Sequence, residues 1–570
     1  MSDQRLLELL EELALLLELR GENPFKAAAY ARAARTLATQ QVDLHRLVEE
    51  GRLRELPGIG PALEEIITEY VRTGRIQLYE QLRQEIPEGL LELTQLPGVG
   101  VKRARILYEQ LGISSPEELE RACHEHRIAA LKGFGAKTEA ALLQALAQWR
   151  SARSRLHLHR AWEQVRLWQE QLLQLPELSR VIPTGEVRRY TETVGELQLL
   201  LVSPHPGRLL RALQKAFPEF RTVAEDELFA EHRHRRIRLW LSRPEHAGWR
   251  LLQTTGSEEF VRAFSEELRA CEYEPIGSEL HHRGHPISTH TEEELFALVG
   301  LPFIPPELRE SAHVLELARR EGLPKLVERR QMVGMLHVHS TWSDGKASIR
   351  QMALAAKALG YAYLAICDHS AAAFYANGLS AERLQQQWHE IEQLNAEGLG
   401  IRLLKGIEVD ILPDGSLDYP DELLEQLELV VASVHSHFRQ SRQEMTRRIL
   451  RALEHPHVHI LGHPTGRLLL SRPAYEVDVE AILQTALRLG KIVELNAQPY
   501  RFDLSWEELQ RARSQGLRIA INPDAHTPAE LEYVEFGVRL ARKALFPPEQ
   551  VVNTLSAEEL LALCRSMAAA

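Results

Sequence analysis

Cysteine is scarce: four residues in 570 (Cys123, Cys271, Cys367 and Cys564), all far apart and none in a CxxC pair. That spacing excludes a disulfide framework and a structural zinc finger, and it fits a reducing, cytoplasmic setting. No run of about 20 apolar residues occurs, so no membrane span is expected. The leucine-rich start carries Glu8, Glu11, Glu12 and Glu18, and reads as an amphipathic helix, not a secretory signal. A basic excess is also missing. The formal net charge is −12, so any nucleic-acid contact must come from local basic surface or from backbone amides. What remains, 44% hydrophobic and 26% charged residues, is the composition of a soluble globular protein of several domains, expected to be monomeric.

Three regions differ in rhythm. Residues 1–150 are helical in pattern, broken by short glycine turns, and residues 151–320 alternate helices with polar-edged strands. A linker at 321–332, continuing a helical stretch from about Glu307 to Arg330, leads into residues 333–570. There, apolar strands predicted at 335–339, 364–369, 403–409, 429–435, 459–463, 492–496 and 518–524 alternate with helices predicted at 348–359, 381–394, 445–454 and 479–489. Seven β/α units predict a barrel-like parallel sheet, whose reacting groups belong at the carboxyl ends of the strands.

Nine metal-type side chains fall at those ends: His337, His339, Asp344, His369, Glu408, His435, His463, Asp524 and His526. Imidazoles mixed with carboxylates suit Mn²⁺, with Zn²⁺ or Fe²⁺ as alternatives, and such clusters hydrolyse phosphate esters. His337 with His339, and Asp524 with His526, are spaced i,i+2, which puts both members of a pair on one face of a strand. Asp368 reads as structural, and His455, His457 and His459 as surface histidines. His437 and Arg467 are candidate phosphate contacts.

The glycine turns Leu56-Pro57-Gly58-Ile59-Gly60 and Leu96-Pro97-Gly98-Val99-Gly100 share one pattern, and Lys132-Gly133-Phe134-Gly135 is a looser third copy. Each resembles a helix-hairpin-helix, which binds the DNA backbone through amides that missing side chains leave approachable. Lys102, Arg103 and Lys137 add candidate charge contacts, and a monovalent cation at the hairpins is a further expectation. The alternative is a tight helix–helix turn without a ligand.

A wider resemblance follows. Gly21-Glu22-Asn23-Pro24-Phe25-Lys26-Ala27, the hairpins, Gly185-Glu186-Val187-Arg188-Arg189, Glu192-Thr193-Val194-Gly195-Glu196-Leu197-Gln198, Thr255-Gly256-Ser257 and Ile304-Pro305-Pro306-Glu307-Leu308-Arg309-Glu310 together resemble bacterial family X DNA polymerases with a carboxy-terminal PHP (polymerase and histidinol phosphatase) domain. The likeness spans nearly the whole chain. It implies a helix-hairpin-helix domain, a nucleotidyltransferase-like palm and thumb, and a distorted (β/α)7 PHP barrel holding up to three divalent ions. His337, His339, Glu408 and Asp524 would hold one ion; Glu408 would bridge to a second held by His435 and His463; Asp344, His369 and His526 would hold a third. A hydroxide at Glu408, His435 and His463 would be the nucleophile.

The departures from the family concern polymerisation. Its three metal-binding Asp positions correspond here to Glu196, Gln198 and Arg238. At ~4 Å and an effective dielectric of ~20, replacing a carboxylate by a cation swings each charge pair by about 8 kcal/mol. Glu186, in the nucleotide-binding turn, would point an anion at a triphosphate, and Tyr190 stands where the family has Gly. The Schiff-base Lys of related lyases is Ile66 here, which closes that route. The basic run His232–Arg236 reads as a charged strand edge, or as a phosphate contact shared with Arg188 and Arg189. The expected function is therefore metal-dependent hydrolysis of DNA phosphoesters in repair, at gaps, nicks or 3′ ends, by a protein with a silent palm. The alternatives are an active gap-filling polymerase with a proofreading barrel, a DNA-binding scaffold with structural metals, and a small-molecule phosphatase.

Overall fold

A computed structural model describes residues 2–39, 44–232 and 235–569. Contacts divide the chain into two units, Met1–Ala152 and Arg153–Ala570. In the first unit helices flank each glycine turn: Pro61–Thr73 follows the first, Gly100–Leu111 the second and Ala136–Ser154 the third. The leading glycines Gly58, Gly98 and Gly133 all have φ between 83° and 89°, as the turn requires. Ile59, Val99 and Phe134 between the glycines are buried, and each pins its hairpin to the helical core. Ile66 is also buried there, in the apolar cluster of this unit.

In the second unit the barrel has seven parallel strands in sequential order: β1 Gly334–Val338, β2 Tyr363–Ile366, β3 Arg402–Asp410, β4 Leu429–Ser433, β5 Ile460–Leu461, β6 Ile492–Asn496 and β7 Ile519–Asn522. A parallel bridge from Val338 to Ala525 brings the first strand to the end of the last. Both faces of each strand are buried, which is why these segments read as near-continuous apolar runs. Along β2, Leu364 and Ile366 join one cluster, whereas Tyr363, Ala365 and Cys367 join another with Leu429 and Val431. The helix Ala557–Ala569 adds Leu560 and Cys564 to that second cluster. Capping boxes at Ser348, Ser441 and Ser505 start three of the outer helices where the loops from the strands end. Among the described residues, no helix is long and apolar enough to cross a membrane.

The expected linker is not a free one. Only His313–Arg320 is α-helical between 309 and 328, Val327 donates its N–H to the Phe546 carbonyl (3.0 Å), and Val327 and Met332 are buried. The palm sheet runs in the order Arg180–Thr184, Glu196–Val202, Arg235–Ser242, Glu227–His232, Arg221–Ala224. Leu158, Val165, Val187 and Leu197 from this part lie in one apolar cluster with the barrel's Ile366, Leu495 and Val538. Ion pairs reinforce the join. Arg467 meets Glu192 at 2.8 Å, Arg542 meets Glu307 at 2.5 Å, and Lys543 meets Glu310 at 2.6 Å. The pair Arg467–Glu192 is largely buried, so Glu192→Ala strands a desolvated guanidinium. We expect it to lower the stability of this unit by about 3 kcal/mol, read from urea unfolding followed by circular dichroism.

Candidate metal centre and the altered palm

All nine predicted ligands converge at the carboxyl end of the barrel. Glu408, on β3, is the hub. Its Oε1 lies 3.0 Å from His463 Nε2 and 3.3 Å from His435 Nε2. Its Oε2 lies 3.0 Å from His369 Nδ1, 3.3 Å from His337 Nε2 and 3.7 Å from His339 Nε2. Asp524 stands 3.0 Å from His339, and Asp344 stands 3.3 Å from His526. Three groups have donor atoms all within 4.8 Å of one another: His339, Asp344, His369 and His526; His337, His339 and Asp524; and His369, Glu408 and His435. This grouping departs from the resemblance-based division, because His339 and His369 each stand in two groups.

The paired spacing delivers both histidines and both Asp524 and His526 to the site, but not by simple strand alternation. The register of β1 shifts between Met335 and Val338, and His337 takes φ = 62° inside that irregularity. Asp524 lies beyond β7 with φ = 49°. Non-glycine residues held in the left-handed region cluster at functional sites, where surrounding contacts impose the conformation.

The donor set fits divalent metal ions. His337 Nε2, His339 Nδ1, His369 Nδ1 and His463 Nδ1 are buried without hydrogen-bond partners. Two carboxylates that the sequence reading missed fix ring orientation. Glu494 accepts from His337 Nδ1 at 2.6 Å and Asp410 from His435 Nδ1 at 2.6 Å, which leaves the opposite nitrogens facing Glu408. Glu494 also accepts the His463 N–H (2.7 Å) and the Asn522 side-chain amide (2.8 Å). Asp410 lies two residues after Glu408 on the same strand, so period-two register was the signal that pointed to it. Asp368 is structural, as expected: its carboxylate accepts from Ser340 and Gln387.

Electrostatics agree with a cationic occupant. Burial pushes the Glu408 carboxyl up, yet His337, His435 and His369 hold it well below the usual range. Burial opposes a charge on His435, but Glu408 and Asp410 carry it up to about 10. His526 rises against the same penalty to about 9, drawn up by Asp344 and Asp524.

Several expected contacts are otherwise engaged. Arg467 is not a phosphate clamp: besides Glu192, it donates to the carbonyls of Arg501 (3.0 Å) and Phe502. The cation that does approach the cluster is Arg501, its Nε 3.6 Å from Asp524 Oδ2. No short motif marked it. His437 is exposed, with φ = 54°. His459 is not a surface residue; it is 5% exposed and its Nδ1 accepts the Val430 N–H at 3.0 Å.

Glu196, Gln198 and Arg238, which the resemblance puts at the palm's metal positions, lie side by side. Gln198 sits directly opposite Arg238 on parallel strands. The Arg238 guanidinium donates to Glu196 at 2.8 and 3.1 Å and also to Glu227. Gln198 donates to Glu196 at 2.9 Å and accepts from Trp240 at 3.3 Å. Glu186 lines the palm cleft and is engaged there by Arg155 (2.9 Å) and the Gly195 N–H (2.5 Å). Arg188 and Arg189 are engaged in internal ion pairs. Arg188 forks onto buried Glu292 (2.6 and 2.9 Å), and Arg189 holds Glu310 (3.1 Å) and the Thr255 carbonyl (2.7 Å). Of the basic run, His232 ends one inner strand of the palm sheet and Arg235 and Arg236 open another, so the described part is not on an edge strand; Arg233 and His234 lie outside the described residues, and Arg235 and Arg236 are exposed.

In the first unit, an added Cβ at Gly60, Gly100, Gly133 or Gly135 would meet nothing within 4 Å, so these turns are open to an approaching backbone. Lys102 and Lys137 are exposed beside them. Arg103 instead braces two turns, donating to the Gly98 carbonyl (2.6 Å) with its guanidinium over Phe134.

The geometry fits a metal-binding enzyme: a seven-stranded parallel barrel with an imidazole–carboxylate cluster at its rim, joined to a domain with a five-stranded sheet. The comparisons agree with it. The chain matches a helix-hairpin-helix domain over residues 1–76, a SAM-like helix-hairpin-helix tandem over 90–148, a DNA polymerase beta thumb over 250–310 and a PHP domain over 335–498. It is 37% identical to the "DNA polymerase/3′-5′ exonuclease PolX" of Bacillus subtilis (strain 168), over 99% of this chain and 100% of the relative. A probable phosphatase of Acetivibrio thermocellus is 29% identical over 38% of this chain and 89% of its own length. One of Caldanaerobacter subterraneus subsp. tengcongensis is also 29% identical, over 27% of this chain and 63% of its own length. The chain belongs to the family X DNA polymerases that carry a carboxy-terminal PHP domain, an enzyme family with DNA-binding helix-hairpin-helix modules and a metal-dependent barrel.

Two outcomes are expected of the centre. At pH 7 the metal-free His435 and His526 carry protons that divalent ions displace. Titration calorimetry in buffers of differing ionisation enthalpy should show proton release on Mn²⁺ uptake, and affinity should rise with pH. Asp410→Asn should weaken Mn²⁺ binding about 10- to 100-fold while the fold, read by circular dichroism, is kept.

Proposed function

We propose that the chain hydrolyses DNA phosphoesters in its barrel and that its palm does not polymerise. The reaction is of the 3′–5′ exonuclease, 3′-phosphatase or abasic-site endonuclease type, which differ only in the ester presented. The observation that carries this reading is the contrast between the two sites: five imidazoles surround Glu408 in the barrel, whereas Arg238 bridges Glu196 and Glu227 in the palm.

His337, His339, Asp344, His369, Glu408, His435, His463, Asp524 and His526 would hold up to three divalent ions, Mn²⁺ foremost and Zn²⁺ or Fe²⁺ as alternatives. Bound there, the ions supply Lewis-acid activation of water and neutralise charge developing on the phosphoryl oxygens. The protein supplies the rest. Glu494 and Asp410 lock the imidazole tautomers, and burial keeps bulk water from the carboxylates. Arg501 holds a guanidinium at the edge of the cluster, where a non-bridging phosphate oxygen would sit. The exonuclease named in the Bacillus subtilis relative supports this half of the reading. Exposed hairpin amides with Lys102 and Lys137 would retain gapped, nicked or 3′-ended DNA through its backbone.

The polymerase half of that relative's name favours a second reading, gap filling in the palm. Against it stands a fixed cation where two Mg²⁺ ions would have to enter. A labelled gapped duplex separates the readings. With Mn²⁺ the wild type should shorten the primer, with or without nucleotides, and Asp524→Ala should reduce shortening by at least about 100-fold. Primer extension in Mg²⁺ or Mn²⁺ would overturn the silent palm.

A further inference from the structure

The segment Ser370–Leu379, between β2 and the helix Ala381–Ala396, is tightly built yet leaves two large apolar rings in solvent. Leu379 donates to the His369 carbonyl at 2.8 Å, Gly378 to Ala373 at 3.1 Å, and Ala372 to the Asp418 carboxylate at 2.6 Å. A Cβ on Gly378 would lie 1.9 Å from the Ser370 carbonyl oxygen, so only glycine allows the loop to close this tightly. On this anchored frame Phe374 is 85% exposed and Tyr375 63% exposed. Single exposed apolar residues are ordinary on protein surfaces. Two adjacent aromatics on a rigid loop beside a metal-type cluster are not explained by that rule.

Their placement gives them a use. The Tyr375 ring centre is 6.4 Å from that of His369, one of the candidate ligands, so the aromatic pair stands directly beside the metal centre. Phe374 stands at 78° to Tyr375 with ring centres 6.2 Å apart, and the two rings form an L-shaped corner. Such a corner offers one open π-face and one edge. That suits a flat ring standing next to a phosphate, and base–aromatic stacking tolerates any sequence.

We infer that Phe374 and Tyr375 form a stacking platform for the base of the 3′-terminal nucleotide, so that the centre prefers ends that carry a terminal base over base-free ones. This rests on the nuclease reading above and adds the residues that hold the terminal nucleotide. The base unstacks from its neighbour, lies against Phe374, and brings its phosphate between the cluster and Arg501.

The test compares two single-stranded oligonucleotides that differ only at the 3′ terminus, one ending in adenine and one in a base-free tetrahydrofuran. Wild type should cleave the base-bearing end with about 10-fold higher kcat/KM, and Phe374→Ala should erase that preference. Phe374→Trp should preserve it. Equal rates on the two ends in wild type, or a preference that survives Phe374→Ala and Tyr375→Ala, overturn the platform and leave the nuclease reading standing. A second readout needs no turnover. With EDTA present, a 3′-terminal 2-aminopurine should be quenched by wild type and not by Phe374→Ala. If wild type cleaves neither end, the nuclease reading falls, and the quench alone decides whether the rings stack a base.

Discussion

A single carboxylate organises the barrel of this protein. Glu408 is 1% exposed, and its two oxygens are shared among five imidazoles from the ends of four strands, β1, β2, β4 and β5. A bare carboxylate at such depth is costly unless cations surround it. The ring of histidines, and the divalent ions that these donors fit, meet that requirement. The parallel barrel makes the arrangement reachable: every strand ends at the same rim, so six strand ends and the loops after them supply the nine candidate ligands, and β6 supplies Glu494 behind them.

The palm shows the opposite arrangement. Its acids Glu196 and Glu227 are compensated from within, by the guanidinium of Arg238. Its signature arginines and glutamates have structural work. Arg188, Arg309 and Glu292 knit the palm to the thumb, while Glu192, Glu307 and Glu310 tie palm and thumb to the barrel. The Arg467 loop links both concerns, because it follows the ligand His463 and holds the carbonyl of Arg501. The polymerase-like part thus braces a segment that carries Arg501 to the ligand cluster.

Much of this was legible before any coordinates. Apolar strands ending in His, Asp or Glu announce a barrel and its ligands, because few other pressures put ionisable groups at the ends of buried runs. Glycine turns with a buried residue between the glycines announce the hairpins. What stayed hidden depended on partners far away in sequence. Arg188 and Glu292 are 104 residues apart, and Arg189 and Glu310 are 121 apart, so no local pattern separates a phosphate contact from an internal ion pair. Arg467 and Arg501 are both loop arginines near ligands, and only packing tells which is spent. Glu494 reads as an ordinary strand residue until His337 is seen against it. His459 looks like part of a polar histidine run, yet it caps a strand amide inside the barrel.

Arg238 also shapes what the palm can become. Exchanging it alone for aspartate would take from Glu196 and Glu227 the guanidinium that pairs with both and add a third acid beside them, while Gln198 would still be neutral. A single exchange therefore crowds like charges together before any ion has a full set of ligands, and a two-metal site here requires several coordinated changes.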